Sequence, residues 1–222
     1  MIPSMYVCLR RIEREDIPLL WEWSMNDELA YFNAFTSHKS KAQFEIDYEA
    51  NITNQSLMDY LIIAGEDKKP VGFCGLKDIN WVDSYAEVFI SICDENARKQ
   101  GVATIAILML VKIAFYERNL NKLIFKISEH NTKVMTLIKK WGFKHEGTLR
   151  EMHYFNNRYY DIIIFGVLRN EAEAFFNTAI KNIVSYLFPG ADEDTYAQIE
   201  MIVQNIIGLN GSLREKQLAH VT

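Results

Sequence analysis

The chain has 222 residues, 49% of them hydrophobic and 24% charged, with 24 Lys+Arg against 29 Asp+Glu for a net charge of −5. That balance excludes wholesale disorder, and the length suits one domain with an addition or two small ones. The longest apolar stretch, Val102 to Val111, is half of the roughly 20 residues that span a bilayer, and no Lys/Arg run could neutralise a row of phosphates, so neither a membrane nor a nucleic acid is expected as a partner.

Tyr6 to Ile12 reads as a strand. Arg10 and Arg11 follow its apolar residues instead of preceding them, so no secretory leader is expected. Arg14 to Met25 reads as a helix, with Leu19, Leu20 and Trp23 at helical spacing, and Ser40 to Asn51 as a weaker one. Met58 to Ala64 is a strand stopped by Gly65, Asp67 and Pro70, and Val71 to Ile79 pairs back on it. Ser84 to Cys93 alternates, with Ala86, Val88, Ile90 and Ile92 on one face and Tyr85, Glu87, Phe89 and Ser91 on the other, which makes Glu87 the odd charge in a strand. Gly101 to Arg118 is a helix apolar over most of its circumference, with Thr104, Lys112 and Tyr116 as a thin polar stripe. Lys122 to Ile127 is a strand, Thr132 to Trp141 a helix that Gly142 terminates, and Phe143 opens a further strand. A hairpin of Thr148 to Phe155 and Arg158 to Leu168 turns at Asn156 and Asn157, both tolerant of positive φ. A mixed sheet with helices on its faces follows.

Beyond Asn170, Ala172, Phe175, Phe176, Ala179, Ile180, Ile183, Val184 and Leu187 form one helical stripe ended by Pro189 and Gly190, and a second helix runs from about Asp194 to Ile207 with Tyr196, Ile199, Val203 and Ile206 as its stripe. The acidity lies here: residues 171–222 carry 3 Lys+Arg and 7 Asp+Glu, net −4, while residues 1–170 carry 21 and 22, net −1. The stripe must pack on something, either the chain's own sheet edge or a partner, with a homodimer as one form of the second. Cys8, Cys74 and Cys93 are odd in number and far apart, without CxxC spacing. That argues against a disulfide framework or a zinc site and for a reducing cytoplasm, with no metal expected.

Asp94 to Thr104 carries the chemistry. It joins a strand to a buried helix whose first backbone N–H groups are unpaired and reinforced by the macrodipole, an arrangement that receives anions. Gly101 and Ala103 would let a pyrophosphate approach those groups, and Arg98 and Lys99 would supply countercharge. The plain alternative is a helix start with small residues that only packs closely.

Arg98-x-x-Gly101-x-Ala103 resembles the (Gln/Arg)-x-x-Gly-x-(Gly/Ala) signature of the GNAT superfamily of acetyl-CoA-dependent N-acyltransferases, and Asn131 with Trp141-Gly142-Phe143 resembles its later asparagine and Gly-Phe segment. Glu146 to Glu151 and Asn157 to Asp161 are similar to the branch of ribosomal-protein Nα-acetyltransferases and spermidine acetyltransferases. The resemblance covers about residues 6–170. It implies an α/β fold with a mixed, largely antiparallel sheet and helices on both faces, an acetyltransferase domain over 1–170 and a helical extension over 171–222. It also implies two splayed strands, Ser84 to Cys93 and Lys122 to Ile127, with the pantetheine arm of acetyl-CoA between them. Ile92, Arg98, Lys99, Gln100, Gly101, Val102, Ala103, Thr104 and Asn131 would then bind the cosubstrate, although Asn131 before Thr132 also suits a helix cap.

Direct transfer needs a neutral amine, and a lysine-like amine gives up its proton at a cost of about 4 to 5 kcal/mol at pH 7. Glu87 is the candidate base, where this branch carries a glutamate; a solvated or substrate-orienting carboxylate is the other reading. Many family members carry a tyrosine seven residues after the asparagine, or a serine three after it, to protonate the departing thiolate. Here those positions are Ile138 and Val134, which donate nothing, and the acid is unassigned. His145, His153, Tyr154, Tyr159 and Tyr160 read as structural. The expected activity is acetyl transfer to a primary amine of a small molecule or peptide, such as a protein N-terminus, a polyamine, an amino sugar or another small amine. The rival is a catalytically silent acyl-CoA-binding module acting through its helical tail.

Overall fold

The computed structural model describes residues 6–26, 39–98, 100–190, 192–194, 197, 201, 203 and 205. Seven strands, β1 (Val7–Arg11), β2 (Met58–Ala64), β3 (Lys69–Asn80), β4 (Tyr85–Ile92), β5 (Lys122–Ser128), β6 (Lys144–Phe155) and β7 (Arg158–Leu168), form one sheet in the order β1-β2-β3-β4-β5-β7-β6. Every neighbouring pair is antiparallel except β4 and β5. A parallel pair needs a crossover, and the chain supplies it with helix α3 (Val102–Lys112). The mixed, largely antiparallel sheet is therefore as expected.

Local signals set the other helices. Helix α1 (Ile17–Ser24) carries a proline in its first turn, where the missing N–H costs nothing. Ser40 caps α2 (Lys41–Ile52), its hydroxyl accepting from the Gln43 N–H at 3.2 Å. Asn131 caps α4 (Thr132–Lys140), accepting from the Val134 N–H at 3.3 Å, and Gly142 at φ 91° closes the helix behind Trp141. The hairpin turn at Asn156 and Asn157 has φ of 46° and 57°, the left-handed pair that suits right-twisted strands.

Three expectations change. Residues Arg14 to Asp16 form a tighter 3-10 turn ahead of α1, and the α-helix after Gly101 stops at Lys112, its last turn widening to a π-helical one over Ile113–Glu117. The strand opened by Phe143 and the first arm of the last hairpin are one strand, β6, whose pairing with β7 is irregular between His145 and Gly147 and between Leu149 and His153. Such irregularities break the two-residue alternation by which a strand is read.

The two faces of the sheet carry separate cores. Ile12, Ile17, Leu20, Phe44, Leu61 and Ile63 pack beneath α1 and α2. The larger core on the other face holds α3, almost wholly buried, together with Ile138, Trp141 and Phe143. Helix α5 (Ala172–Leu187) joins that larger core with Ala172, Phe175, Phe176, Ala179, Ile180, Ile183 and Val184 all buried. Phe175 meets Trp141 and Phe143 edge-on at 6.3 and 5.4 Å, and Phe176 lies 6.2 Å from Tyr116. The stripe thus covers α3 and the end of α4, not the sheet edge, and those side chains offer no face to a second copy. Most of the second tail helix lies outside the described residues. Val203, which is described, is fully buried in the same core.

Candidate active site

Strands β4 and β5 share register only at Tyr85 with Lys122, Ala86 with Leu123 and Glu87 with Ile124. Beyond that, β4 follows β3 as far as Ile92 and β5 follows β7 as far as Ser128, so the two part company and the sheet forks. The fork is the splay implied by the resemblance. It leaves backbone edges over Val88–Ile92 and Phe125–Ser128 that are not paired with each other, and an amide-bearing arm lying between them would find donors and acceptors on both sides. A cavity of about 580 Å³ opens here, and both edges line it together with Asn131 and Val134.

Glu87 stands at the vertex, the last β4 residue in register with β5. It is only 7% exposed, which removes the reading of a solvated carboxylate. Its oxygens meet Lys77 Nζ at 2.9 Å and Lys126 Nζ at 2.6 Å, one lysine from each flanking strand. In return Glu87 raises the Lys126 ammonium above its ordinary value through their hydrogen bond, which favours its charged form beside the cavity. Any amine that enters finds two like charges near it, which favours its neutral form.

The far wall belongs to α1, α2, β2 and β3. Trp23 stacks on Phe73 at 6.2 Å and Phe73 lies 6.3 Å from Phe89, a run of rings along the cavity. Gly75 sits under Phe89, where a Cβ would come within 2.6 Å of the ring and 2.3 Å of the Met58 carbonyl, so only glycine lets that ring lie flat on the sheet. Asp59 also lines the cavity. Burial pushes its carboxyl up, with Arg11 pulling partly back, and burial together with Asp59 raises the Tyr48 phenol beside it. At the other end of the cavity Ser128 Oγ lies 2.7 Å from His130 Nδ1 and 3.2 Å from His153 Nδ1.

The segment expected to receive an anion follows directly from β4. Gly101 begins α3 at φ 76°, a left-handed conformation that side chains with a Cβ resist, so backbone geometry alone calls for the glycine. Arg98 turns back and donates from Nε to the Ile92 carbonyl at 3.2 Å, tying the loop to the end of the strand. Gln100 is exposed and donates to the Asn96 carbonyl, Val102 and Thr104 are buried, and Lys99 lies outside the described residues. Among the described residues, Ile92, Arg98 and Gln100 to Thr104 do not line the cavity, while Asn131 and Glu87 are in its wall.

A family model described as "Acetyltransferase (GNAT) domain" matches residues 7–144. The chain belongs to the GNAT acetyltransferase family. An uncharacterized N-acetyltransferase, p20, of Bacillus licheniformis is 27% identical over 167 residues, 73% of this chain and 93% of the relative. A spermidine N(1)-acetyltransferase of Escherichia coli is 27% identical over 171 residues, 77% of this chain and 90% of the relative. The crystal structure of a spermidine N-acetyltransferase from Vibrio cholerae, in complex with CoA and spermine, superposes with a TM-score of 0.71 at 24% identity, covering 75% of this chain and 98% of that one. This GNAT acetyltransferase is accordingly an acetyl-CoA-dependent enzyme that moves an acetyl group to an amine, and nothing favours a silent binding module.

In this family member Val134 lines the cavity without a donor, and Ile138 is sealed in the core at 1% exposure. Two side chains escaped the reading of the sequence. Asp59 had a visible signal, a lone acid in an otherwise apolar strand, as Glu87 had. Ser128 had none, because a serine at a strand end is unremarkable until His130 and His153 close on it. His145 is exposed against Phe165 and pairs with Thr148, and Tyr154 packs on Tyr159 at 4.9 Å across the hairpin.

Proposed function

We propose that the fork between β4 and β5 is where acetyl-CoA and the acceptor amine meet, and that Glu87 at its vertex takes the amine's proton during direct transfer. The single observation that carries this reading is a buried carboxylate placed where the sheet opens. Acetyl-CoA supplies a thioester, an acyl group bound to a fair leaving group. Ile92, Arg98, Lys99, Gln100, Gly101, Val102, Ala103, Thr104 and Asn131 hold it, the helix start taking the pyrophosphate. Lys77 and Lys126 hold the Glu87 carboxylate in place at the fork, and their positive charge lowers the cost of freeing the amine lone pair.

The acceptor enters from the side of α1 and α2, past the rings of Trp23 and Phe73, and Asp59 offers a carboxyl group that an incoming ammonium would hold ionised against its burial. The relative's name makes spermidine the first acceptor to assay. Asp59→Asn is expected to raise KM for the amine severalfold while acetyl-CoA affinity stays the same; an unchanged KM would remove Asp59 from the acceptor site. The three free cysteines support a reducing setting such as the cytoplasm, and among the described residues no helix is long and apolar enough to cross a membrane.

The cosubstrate half is tested at Gly101. Asparagine tolerates the left-handed backbone better than other side chains, so Gly101→Asn keeps the helix start and adds only a side chain in the path of the anion. Losing one charge-assisted N–H contact, about 1.5–3 kcal/mol, is expected to weaken acetyl-CoA binding about tenfold to a hundredfold by calorimetry. Full affinity in a folded variant would move the site off this helix.

A further inference from the structure

We propose that Ser128, backed by His130 and His153, is the acid that returns a proton to the departing thiolate. The inference rests on the transfer site just proposed and fills the role that Val134 and Ile138 leave empty. Ser128 ends β5 on the same face as Ile124 and Lys126, four and two residues back along the pleat, which is the face that Glu87 presents at the fork. It lines the cavity beside Asn131 and Val134, so the hydroxyl is offered from the same wall as the position that lacks one. Ser128 is 8% exposed, and two imidazole nitrogens lie within hydrogen-bond distance of one oxygen, at 2.7 and 3.2 Å.

A lone serine hydroxyl is far too weak an acid to leave its proton on sulfur. One that receives a proton as it gives one is a relay, and the cluster has the parts for it. The amine nitrogen attacks the thioester carbonyl, the C–N bond forms, and the C–S bond breaks with its electron pair going to sulfur. Ser128 Oγ–H passes its proton to that sulfur and takes another from Nδ1 of the His130 imidazolium. The amine, freed of one proton by Glu87 before attack, sheds its second N–H proton to water as the amide forms; between turnovers Glu87 releases its proton to solvent and the neutral His130 takes one up, so an ammonium substrate yields amide, thiol and one net proton.

The two histidines differ in their surroundings. His153 Nε2 is buried with no hydrogen-bond partner among the described residues, and burial with the neighbouring His130 lowers its pKa, which favours the neutral ring. A neutral His153 orients the hydroxyl. His130 is partly exposed, and its ring faces His153 and Phe155 of β6 at 5.8 and 6.5 Å and Tyr160 of β7 at 5.0 Å, with Arg158 stacked on Tyr160.

The test compares Ser128→Ala, Ser128→Thr and His130→Gln with the wild type, reading thiol release across pH 5.5 to 9 and acetyl-CoA affinity by calorimetry. Ser128→Ala is expected to lose about tenfold to a hundredfold in kcat, the low end for general acids because a thiolate of pKa about 8.5 leaves fairly well unaided. Acetyl-CoA affinity should hold, and Ser128→Thr, which keeps a hydroxyl, should recover most of the rate. Wild-type kcat should fall off with rising pH in a way that His130→Gln does not, because only the wild type has an imidazole to reload the serine. Wild-type kcat in Ser128→Ala overturns the inference, as does a loss of acetyl-CoA affinity in its place, and both leave the proposed function standing. No thiol release from the wild type with any amine overturns the proposed function itself.

Discussion

Glu87→Gln is expected to lower kcat by a factor of about 10²–10⁴ with acetyl-CoA affinity nearly intact, the loss typical of removing a general base. Glutamine keeps the shape of the side chain and a carbonyl oxygen for Lys77 or Lys126 but has no basicity to offer an ammonium ion. The sign of the pH dependence follows from which species lacks the base. Below the amine's own pKa the substrate is protonated and needs Glu87; above it the amine arrives neutral, so the deficit should shrink as pH rises toward about 10. The substitution also strips two lysines of their anion, and Lys126 loses the contact that raises its pKa. A thermal melt run beside the kinetics separates a chemical effect from a loosened fork. A deficit constant with pH in a folded protein would leave Glu87 an orienting role only.

The second large effect concerns α5. Phe176→Glu with Ile180→Glu should unfold the single chain, because both side chains are sealed against α3 and its π-helical turn at 2% and 1% exposure. Removing a buried phenylalanine costs about 3–5 kcal/mol and the isoleucine adds about 2–5, before the penalty for burying unpaired carboxylates. Against a total stability of about 5–15 kcal/mol, that leaves little native state. The melt should lose its cooperative transition or fall by more than about 10 °C, with light scattering showing no clean conversion of dimer to monomer. A folded monomer melting at the wild-type temperature would show that the stripe serves a second copy after all. We propose on this ground that residues 1–170 and α5 fold together, the helix completing the core that α3 and α4 begin.

Much of this was legible along the chain. Ser40, Asn131 and Gly142 act on backbone groups within four residues of themselves, so caps and stops could be read without knowing the fold. Alternation in β4 singled out Glu87, and the glycine after Arg98 marked the start of α3. The errors fell where local rules give out. A π-helical turn replaces α geometry over Ile113–Glu117, and β6 changes register twice, so its period of two fails to carry across His145 and Leu149.

The sequence by itself determined most of the elements, the glycine that opens α3 and the family, since these depend on neighbours in the chain and on spacing. Only the tertiary structure decided what Glu87 is. Its lysines come from positions 77 and 126, and nothing in the spacing of 10 and 39 residues announces that β3 and β5 flank β4. The same holds for Ser128 and His153, 25 residues apart and joined by the return of β6 across β7, and for α5, whose apolar stripe was plain but whose partner was not. An apolar face records that burial is needed because the gain scales with area removed from water, and that gain is blind to which surface does the covering. Choosing the surface takes strand order and register, which are settled by contacts between distant segments.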